Sequence, residues 1–597
     1  MLAPSPEPSA TSESSPQGTR GLGPTNRESI FWAVALLLGF LQAWGRRHDS
    51  ADGLAYMGAD GISYLDIGDA YMRGDFYVAV NAMWSPFYSW LVGLTLKLIK
   101  PSPFWEFTVV RLLNFLIYVL VLACFSYFLR MLRREHCRRG ADRALSEWTW
   151  LVFGYTIFIW TSLFMNRVSR TSPDLLVAGL LFLVCALLLQ IRTEASRWRS
   201  FIILGVVLGL AYLTKTIMFP LALVFVAVAF VVARRGVRTR HAVVRAMLSL
   251  VVFLSLALPF VILLSRAKQR FTIGDSARLN YAWYVNGTTR FIHWQGEPSG
   301  SGTPLHPTRK LQESPLVYEF GGPAGISYPP WYDPSYWYEG VTPRFNLRQQ
   351  LAAIRRNLVS LYDSLFHGFF LAAFCLGLVV LLYQNGDGRN NVREYWFLIV
   401  PALIALGLYL LINIEPRYLA PFVPVIALSL LAAVQSSATA EGRRWLGGIT
   451  CGLLLIFLVA VFPFAVRATY SSLRELVSGT AASRDVQWQV AEGLQQLGVQ
   501  PGERVAVIGN TMFESWPRLA RVRVVAEIPE FPTGNLERFW SADGNTQQQA
   551  LTALAGSGAR VVVADTLPLV EMNRLKDDKV GCWQRLGQTD RYFCFLR

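Results

Sequence analysis

Long apolar runs alternate with short polar segments along most of the chain. Eleven runs stand out: 31–45, 107–129, 147–165, 174–191, 200–213, 217–233, 246–265, 365–383, 395–413, 418–435 and 446–465. A helix needs roughly 20 apolar residues to cross a bilayer core of about 30 Å. A β-barrel would instead show short strands of alternating polarity. The pattern predicts a polytopic α-helical membrane protein with about eleven transmembrane helices.

One further apolar stretch, 84–99, is short, begins with Ser85-Pro86 and ends near Lys97 and Lys100. We predict that it lies along the outer membrane surface, or dips into it, without crossing. If this stretch and another one do cross, the number of transmembrane helices rises to twelve or thirteen.

Arginine clusters orient the predicted helices. They fall in three short connections, made of Arg130, Arg133, Arg134, Arg138, Arg139 and Arg143; Arg192, Arg197 and Arg199; and Arg234, Arg235, Arg238, Arg240 and Arg245. Short Arg-rich connections mark the cytoplasmic side of a membrane. This places the N-terminus inside and three longer segments outside: 46–84, 266–360 and 466–597. Arg46 and Arg47 disagree, because they follow the first helix on the predicted outer side, but the later loops outweigh them.

The composition agrees with a membrane protein. The 597 residues are 53% hydrophobic and 16% charged, whereas soluble proteins carry about 25% charged residues. The net charge of +16 is explained by cytoplasmic arginines beside anionic lipid, so we expect no nucleic-acid partner. Residues 1–28 are rich in Pro, Ser, Gly and Thr, which predicts a disordered cytoplasmic tail. The first apolar run has no clear cleavage site, so we interpret it as a retained helix of the inner (cytoplasmic) membrane.

The outer segment 266–360 is long and aromatic. It contains YPPWYDPSYWYEG at 328–340. Trp and Tyr at this density suit the headgroup region of a membrane. They also suit stacking against a sugar ring or a polyprenyl chain, and the segment is too long for a simple connector. Both interpretations stay open at this point.

The segment 466–597 predicts a small periplasmic α/β domain. RVAVIG (504–509), RVRVVAEI (521–528) and RVVVAD (560–565) are typical of short buried strands, and VQWQVAEGLQQLGV (486–499) of an amphipathic helix. Strands with helices between them favour a mainly parallel sheet. Because the segment has no G-x-G-x-x-G and no phosphate loop, we assign it no catalysis.

Two of the seven cysteines, Cys582 and Cys594, flank Gly587-Gln588-Thr589. A three-residue hairpin loop would place them opposite each other or one register step apart. This spacing allows a disulfide if that face meets an oxidising compartment. The other five cysteines lie in or beside apolar runs, where they act as small hydrophobic residues.

Charged and aromatic residues recur at the predicted outer ends of the apolar runs. They are Asp60 and Tyr64 in the first outer segment, Asp174 in RTSPDLLVAGLL, Lys215 in GLAYLTKTIMFP, and Glu415, Arg417 and Tyr418 in NIEPRYLAPFVP. All fall on one side of a topology that was set without them. Charged groups at membrane depth are costly and usually functional, so acids and bases that converge on one face predict a site.

Each charged residue also has a purely structural interpretation. Asp60 has the position of a helix N-cap. Asp174 follows Pro173 at a helix start, where a carboxylate suits the helix dipole. Lys215 and Arg417 could be long side chains that reach the membrane interface.

The stretch GADGISYLDIGDAYMRGD (58–75) holds four aspartates. On a helix that starts at Asp60, Asp66 and Asp69 lie about one turn apart and predict a solvated face. Asp75 follows Gly74 and predicts a turn. Asp60 is therefore the aspartate of this stretch with a predicted chemical role.

ADGISYLDIGDAYMRGDFYVAVNAMWSPFYSWLVGL resembles the start of the first outer loop in GT-C glycosyltransferases, among them bacterial relatives of protein O-mannosyltransferases and of the lipid A aminoarabinose transferase. The matching features are Asp60, Tyr64, Gly74 and Ser85-Pro86-Phe87-Tyr88. GLAYLTKT and EPRYLAPFVP resemble later segments of that family. The resemblance covers roughly 29–465 and implies a GT-C-like transmembrane domain.

The resemblance implies a reaction on the outer face of the membrane. A sugar would move, with inversion, from a polyprenyl-phosphate donor to a hydroxyl of a lipid, glycan or protein acceptor. Asp60 would be the general base, and Asp174 a second catalytic carboxylate that positions the acceptor or a cation. The substrate-binding residues would be Tyr64, Lys215, Glu415, Arg417 and Tyr418, with Lys215 and Arg417 on the donor phosphate.

The resemblance also implies a divalent cation, Mg²⁺ or Mn²⁺, in some members. Asp60 and Asp174 would be its oxygen ligands. Gly61 stands where several relatives have Glu, so a ligand expected there is missing. His293 and His306 in the long outer segment are lone histidines without ligand spacing.

Other functions fit the hydropathy as well. A transporter or flippase of lipid-linked sugar often shows internal repeats and broken helices at mid-membrane, whereas here no repeat is visible and the acids lie at one face. A polysaccharide polymerase or ligase is a second alternative. A receptor whose C-terminal domain binds a partner is a third.

Overall fold

The computed structural model describes residues 26–44, 58–139, 144–290, 293–321, 326–366, 369–384, 388–435, 439–478, 485–565, 579–580 and 582–596. Most of the predicted tail, residues 1–25, lies outside these ranges. Residues 26–28, which were predicted to belong to the tail, are helical, because the first helix begins at Asn26.

Helices make up most of the described chain. Their bounds are Asn26–Trp44, Gly58–Arg73, Phe76–Ala79, Pro86–Ile99, Pro103–Arg139, Glu147–Trp160, Asp174–Thr193, Trp198–Thr214, Met218–Ala233, Thr239–Ala267, Ser276–Tyr284, Pro329–Tyr332, Pro334–Trp337, Leu347–Phe366, Phe369–Gln384, Gly388–Arg393, Trp396–Ile412, Pro416–Leu419, Phe422–Ala433, Ala440–Ser478, Val486–Gln496, Trp516–Leu519, Asn535–Ser541 and Gly544–Gly556. Each of the eleven predicted apolar runs falls on one or two of these helices.

Five described helices are long and apolar enough to cross a membrane: Pro103–Arg139, Glu147–Asn166, Asp174–Thr193, Thr239–Ala267 and Ala440–Ser471. The pair Leu347–Phe366 and Phe369–Tyr383, bent by 88°, would add a sixth if it forms one span. Shorter apolar helices pack beside them: Pro86–Ile99, Trp198–Thr214, Met218–Ala233, Trp396–Ile412 and Phe422–Ala433. The chain is thus a multi-pass helical membrane protein, while the number of eleven spans stays a prediction.

The helix Gly58–Arg73, which we call the site helix, crosses Pro86–Ile99 at two glycines. A Cβ atom on Gly93 would lie 2.5 Å from the carbonyl oxygen of Gly68, and one on Gly68 would lie 2.7 Å from that of Ser89. The two backbones therefore touch directly. Pro86–Ile99 has 14 residues and is ~21 Å long at 1.5 Å per residue, shorter than an apolar bilayer core.

An eight-stranded sheet forms the second part of the fold. Its strands are β1 Arg309–Glu313, β2 Leu316–Glu319, β3 Arg504–Gly509, β4 Arg523–Pro529, β5 Val561–Ala564, β6 Lys579–Val580, β7 Trp583–Arg585 and β8 Tyr592–Phe595. They are ordered β1-β2-β4-β3-β5-β8-β7-β6. The three strands predicted from the sequence are β3, β4 and β5, and they are parallel. The prediction of a mainly parallel sheet is wrong, because antiparallel strands extend this centre on both sides.

Strands β1 and β2 come from the long outer segment 266–360. β2 pairs with β4 through Tyr318 opposite Glu527 and Glu319 opposite Ala526. A domain confined to 466–597 would therefore lack two strands of its sheet. We call β1–β8 with the helices between β3 and β5 the sheet unit. The preceding helix Ala440–Ser478 also runs past residue 465, where the transmembrane domain was predicted to end.

The sheet unit packs against the membrane helices through one face. Alternate residues of a strand point to opposite faces, and along β3 Val505 and Val507 join the core of the helical part, whereas Ala506 and Ile508 join a separate core on the other face. The helical and sheet parts thus share one apolar core.

A disulfide joins Cys582 and Cys594, the pairing that the sequence suggested, with 5.2 Å between the Cα atoms. In the ladder of β7 and β8, Gln584 lies opposite Phe593. Cys582 therefore stands one position away from the residue directly opposite Cys594.

Candidate active site

A cavity of about 400 Å³ lies where the site helix meets the ends of several apolar helices and the segment 266–360. The seven site residues predicted from the sequence all line it: Asp60, Tyr64, Asp174, Lys215, Glu415, Arg417 and Tyr418. Asp60 and Arg417 are in contact although 357 positions separate them in the chain. The fold thus brings the predicted residues together at one place, while their roles stay predictions.

Asp60 lies in the first turn of the site helix, which begins at Gly58. It is therefore not the N-cap, and that structural interpretation is wrong. One carboxylate oxygen accepts a hydrogen bond from Trp331 Nε1 at 3.1 Å. The other lies 3.4 Å from Arg417 Nη2. The side chain is 30% exposed, so the carboxylate is held by two partners and still reaches the cavity.

Asp174 and Lys215 form a buried ion pair. Asp174 is the first residue of the helix Asp174–Thr193, as the helix-dipole interpretation requires, but its side chain is 3% exposed and accepts a hydrogen bond from Lys215 Nζ. Lys215 stands at the break between the helices Trp198–Thr214 and Met218–Ala233. Each of these charges keeps the other compensated at a place where an unpaired charge would be costly.

Arg417 faces three carboxylates. Its Nε donates to Glu415 at 2.7 Å, and its terminal nitrogens lie 3.4 Å from Asp60 and 3.9 Å from Asp174. The side chain is 14% exposed. A side chain that merely reaches the membrane interface would not be enclosed in this way, so Arg417 belongs to the cavity.

Two tyrosines form a wall around Lys215. Tyr409 and Tyr418 stack with their ring centroids 4.9 Å apart. Lys215 Nζ lies 4.1 Å from the centroid of Tyr418 and 5.8 Å from that of Tyr409, within the range of cation–π attraction. The sequence did not single out Tyr409, because it lies inside an apolar run whose tyrosines carry no local signal of function.

Tyr64 is one turn after Asp60 on the site helix and is 6% exposed. Its ring makes edge-to-face contacts with Trp84 and Tyr88, each with centroids 5.4 Å apart. Burial, together with the nearby carboxylates of Asp60 and Asp174, raises the pKa of Tyr64 well above its ordinary value. Its hydroxyl is therefore neutral and available to hydrogen-bond a ligand.

A second wall comes from the long outer segment. Trp283 and Trp331 stack with centroids 5.7 Å apart. The guanidinium of Arg290 lies 4.7 Å from the ring of Tyr284 and 5.6 Å from that of Trp283. Trp331 belongs to the aromatic stretch 328–340, so the interpretation of that stretch as ligand-contacting gains support at this residue. Trp283, Tyr284 and Arg290 were missed, because nothing near them in the sequence marks them.

The charges of the cavity lining balance. The acidic residues are Asp60, Asp174 and Glu415, and the basic residues are Lys215, Arg290 and Arg417. Lys215 and Arg417 lie beside the ends of apolar helices, and Arg290 comes from the segment 266–360. Three cations make a phosphate group the kind of ligand that this lining suits.

The residues do not fit a divalent cation. In the part of the chain that the structure describes, no group of three or more His, Cys, Asp or Glu side chains could hold a metal ion. Asp60 and Asp174 instead each face a basic side chain. His293 bonds to Glu527 at 2.7 Å and His306 stacks on Tyr336, so both have other partners. No step of the chemistry below uses a metal ion.

Of the other aspartates in 58–75, Asp66 and Asp69 differ from the prediction, whereas Asp75 follows a turn at Gly74 as predicted. Asp66 is 3% exposed and Asp69 is 28% exposed, and both form ion pairs with Arg518. The prediction of a solvated face is wrong, because the sheet unit covers it. Asp75 follows Gly74, whose φ is +78°, and caps the helix Phe76–Ala79 by accepting from the Val78 backbone N–H.

No protein-family model and no curated protein matches the chain significantly. Solved structures are similar to it. ArnT from Cupriavidus metallidurans in the apo state has a TM-score of 0.48 and 14% identity, covering 95% of this chain and 97% of that chain. The same protein bound to undecaprenyl phosphate has a TM-score of 0.48 and 13% identity, covering 96% and 98%.

The oligosaccharyltransferase of Archaeoglobus fulgidus, tethered with an acceptor peptide, has a TM-score of 0.45 and 14% identity, covering 90% of this chain and 69% of that chain. Both comparisons extend over most of this chain.

Proposed function

We propose that this protein is a membrane glycosyltransferase. It moves a sugar from a polyprenyl-phosphate donor to an acceptor hydroxyl at the outer face of the cytoplasmic membrane, with inversion at the anomeric carbon. The N-terminus is cytoplasmic and the sheet unit is periplasmic. The observation that carries this proposal is the cavity where two carboxylates, Asp60 and Asp174, face Lys215 and Arg417 beside apolar helices.

The lining of the cavity suits both ends of such a donor. Ile217, Pro220, Leu408, Leu411 and Ile412 give it an apolar side. These residues belong to or adjoin the apolar helices Met218–Ala233 and Trp396–Ile412, where a polyprenyl chain can stay in lipid. The aromatic wall of Trp283 and Trp331 offers flat faces for a sugar ring.

The reaction is a single displacement. The acceptor hydroxyl oxygen bonds to the anomeric carbon while the bond from that carbon to the phosphate oxygen breaks. The hydroxyl proton passes to the Asp60 carboxylate, and polyprenyl phosphate leaves with the bonding electrons. Lys215 and Arg417 compensate the charge that develops on the phosphate, which lowers the barrier.

Arg417 also couples donor binding to the base. Its guanidinium lies 3.4 Å from Asp60. A donor phosphate competes for the same nitrogens, because Arg binds phosphate through paired N–H groups. Donor binding therefore frees the Asp60 carboxylate to accept a proton. Asp174, held by Lys215, keeps the second cation in place, and the neutral hydroxyl of Tyr64 orients the acceptor.

The test is transfer by the purified full-length protein in lipid nanodiscs. Radiolabelled undecaprenyl-phosphate pentoses and hexoses are supplied with lipid, glycan and peptide acceptors, and Asp60→Asn is compared with wild type. We expect transfer and release of undecaprenyl phosphate by wild type. We expect a rate at least about 100-fold lower for Asp60→Asn, the size of a lost general base.

Asp75→Asn is the matched control. It removes a carboxylate from the same outer segment, yet asparagine caps a helix as well as aspartate, so we expect wild-type transfer. Full transfer by the Asp60→Asn variant would exclude the Asp60 carboxylate as the general base. Movement of a lipid-linked sugar across the bilayer without transfer to any acceptor would favour the flippase alternative.

A further inference from the structure

The site helix is held by the sheet unit at the end away from Asp60. Arg518 lies on the short helix Trp516–Leu519 between β3 and β4, and its side chain is 2% exposed. Each part of its guanidinium meets a different carboxylate: Nη1 donates to Asp66 at 2.5 Å, Nη2 to Asp69 at 2.9 Å and Nε to Glu106 at 2.5 Å. A single arginine thus joins the sheet unit, the site helix and the helix Pro103–Arg139.

Arg518 is a buried cation with three carboxylate partners. Burial alone would lower the pKa of Arg518, but the carboxylates of Asp69, Glu106 and Asp66 hold it well above its ordinary value. Burial raises the pKa of Asp66, and Arg518 and the Ser327 backbone N–H oppose that rise. Removing the guanidinium would leave the buried Asp66 carboxylate without a cationic partner, while Glu106 would keep Arg521.

A second connection runs beside the first. Ser327 donates its backbone N–H to Asp66 at 2.8 Å, and its carbonyl accepts from Val524 of β4 at 3.1 Å. Four residues later, Trp331 donates to Asp60, and its carbonyl accepts from Ser63 at 3.0 Å. Strand β4 of the sheet unit is thus connected to the site helix at Asp66 and, through the segment 327–331, at Ser63 and Asp60.

We propose that Arg518 is a positioning residue for the transfer reaction. By holding Asp66 and Asp69 it fixes the orientation of the site helix and, six residues away, the place of the Asp60 carboxylate. The sheet unit is then a required part of the active site, although it carries no group that touches the substrate. This inference rests on the proposed role of Asp60.

The size of the effect follows from the geometry. Six residues of helix span ~9 Å, so a small tilt at Asp66 displaces Asp60 appreciably. A misplacement of about 1 Å at a reacting group costs about 100-fold in rate. A role in stability alone would instead change the amount of folded protein and leave turnover per folded molecule unaltered.

Arg521→Gln is the matched control for Arg518→Gln. The substitution also removes one positive charge, three residues away. Arg521 also bonds to Glu106, but it has no described bond to the site helix. Arg518→Lys is the conservative variant, since it keeps the charge and can hold one carboxylate in place of three.

Two measurements on full-length protein in nanodiscs decide the matter. The first is hydrogen exchange of peptides covering 58–73, which needs no activity; the second is kcat and KM for the lipid donor. For Arg518→Gln we expect faster exchange confined to the site helix, with kcat lowered about 10- to 100-fold and the donor KM nearly unchanged. Arg518→Lys should be intermediate, and Arg521→Gln should match wild type in both measurements.

Wild-type kcat per folded molecule in Arg518→Gln would overturn the inference, and so would equal losses in Arg518→Gln and Arg521→Gln. If the amide hydrogens of Arg518→Gln exchange rapidly throughout the chain, that variant is unfolded and the Arg518→Lys variant is used instead. A lowered kcat in Arg518→Lys, with wild-type exchange outside the site helix, supports the inference. A wild-type kcat in Arg518→Lys overturns it. Absence of transfer by the wild-type protein would instead count against the proposed function. The hydrogen-exchange result would still stand in that case, since it needs no activity.

Discussion

Arg417→Lys tests the part of the cavity that is proposed to bind the donor phosphate. Arginine presents a planar fork of N–H donors, whereas lysine presents a compact ammonium on a flexible stem. The substitution keeps the positive charge among Asp60, Asp174 and Glu415. What it removes is the ability to hold two oxygen partners at once.

The magnitude can be worked from the contacts. Arg417 donates to Glu415 at 2.7 Å and makes two longer contacts of 3.4 and 3.5 Å to Asp60. Lysine cannot keep the Glu415 bond and also hold a phosphate through paired donors. A hydrogen bond to a charged group contributes about 1.5–3 kcal/mol, which corresponds to roughly a 10- to 150-fold loss of kcat/KM.

The assay is initial-rate transfer from a radiolabelled undecaprenyl-phosphate sugar, with the donor concentration varied. We expect a higher donor KM in Arg417→Lys, and a larger loss in Arg417→Gln, which removes the charge as well. Arg278→Lys is the control, because Arg278 pairs with Glu339 outside the cavity lining. A kcat/KM within about threefold of wild type for Arg417→Lys, less than one bond's worth, would refute the phosphate-binding role.

Three further outcomes follow from the structure. Lys215→Met should abolish transfer and lower the melting temperature, because buried Asp174 loses its partner. The double variant Lys215→Met with Asp174→Asn should regain stability but not transfer. A Lys215→Met protein as stable as wild type would contradict the buried pair. EDTA should leave the transfer rate within about twofold, since the cavity carboxylates face cations; a loss reversed by Mg²⁺ or Mn²⁺ would contradict this. Burial, with the nearby Glu514 carboxylate, raises the pKa of Asp565 to about 7. The Asp565 carboxyl therefore holds its proton more tightly in the folded state than in the unfolded state. The free energy of unfolding should fall as the pH rises from about 4 to about 7. Melting curves should show this fall weakened in Asp565→Asn, and an identical pH dependence in both proteins would contradict it.

The sequence was informative where the signal is local. Apolar runs located the helices, because a helix in lipid must be apolar along its whole length. The seven cavity residues were found by a similar rule, since charges such as Asp174 and Lys215 are rare at membrane depth unless they have a function. Neither rule needs knowledge of the partner.

Long-range partners were out of reach. Asp66 and Asp69 have the spacing of a solvated helix face, and the residue that covers them, Arg518, is 452 and 449 positions away. No local pattern distinguishes a carboxylate facing water from one facing a buried arginine. The strands β1 and β2 were missed for a related reason. β1 is polar and largely exposed, β2 has only four residues, and β2 forms against β4, which lies far along the chain.

The composition of the sheet from two distant segments has a consequence for how the protein is made. The β1–β2 hairpin leaves the ribosome roughly 200 residues before β4, which at about 5–20 residues per second is a delay of ~10–40 s. During that time the helices from Leu347–Phe366 to Ala440–Ser478 are being made, and the edge of β2 still lacks its partner β4. An unpaired strand edge is a template for wrong pairing. The nascent hairpin is therefore exposed to wrong pairing until β4 is made.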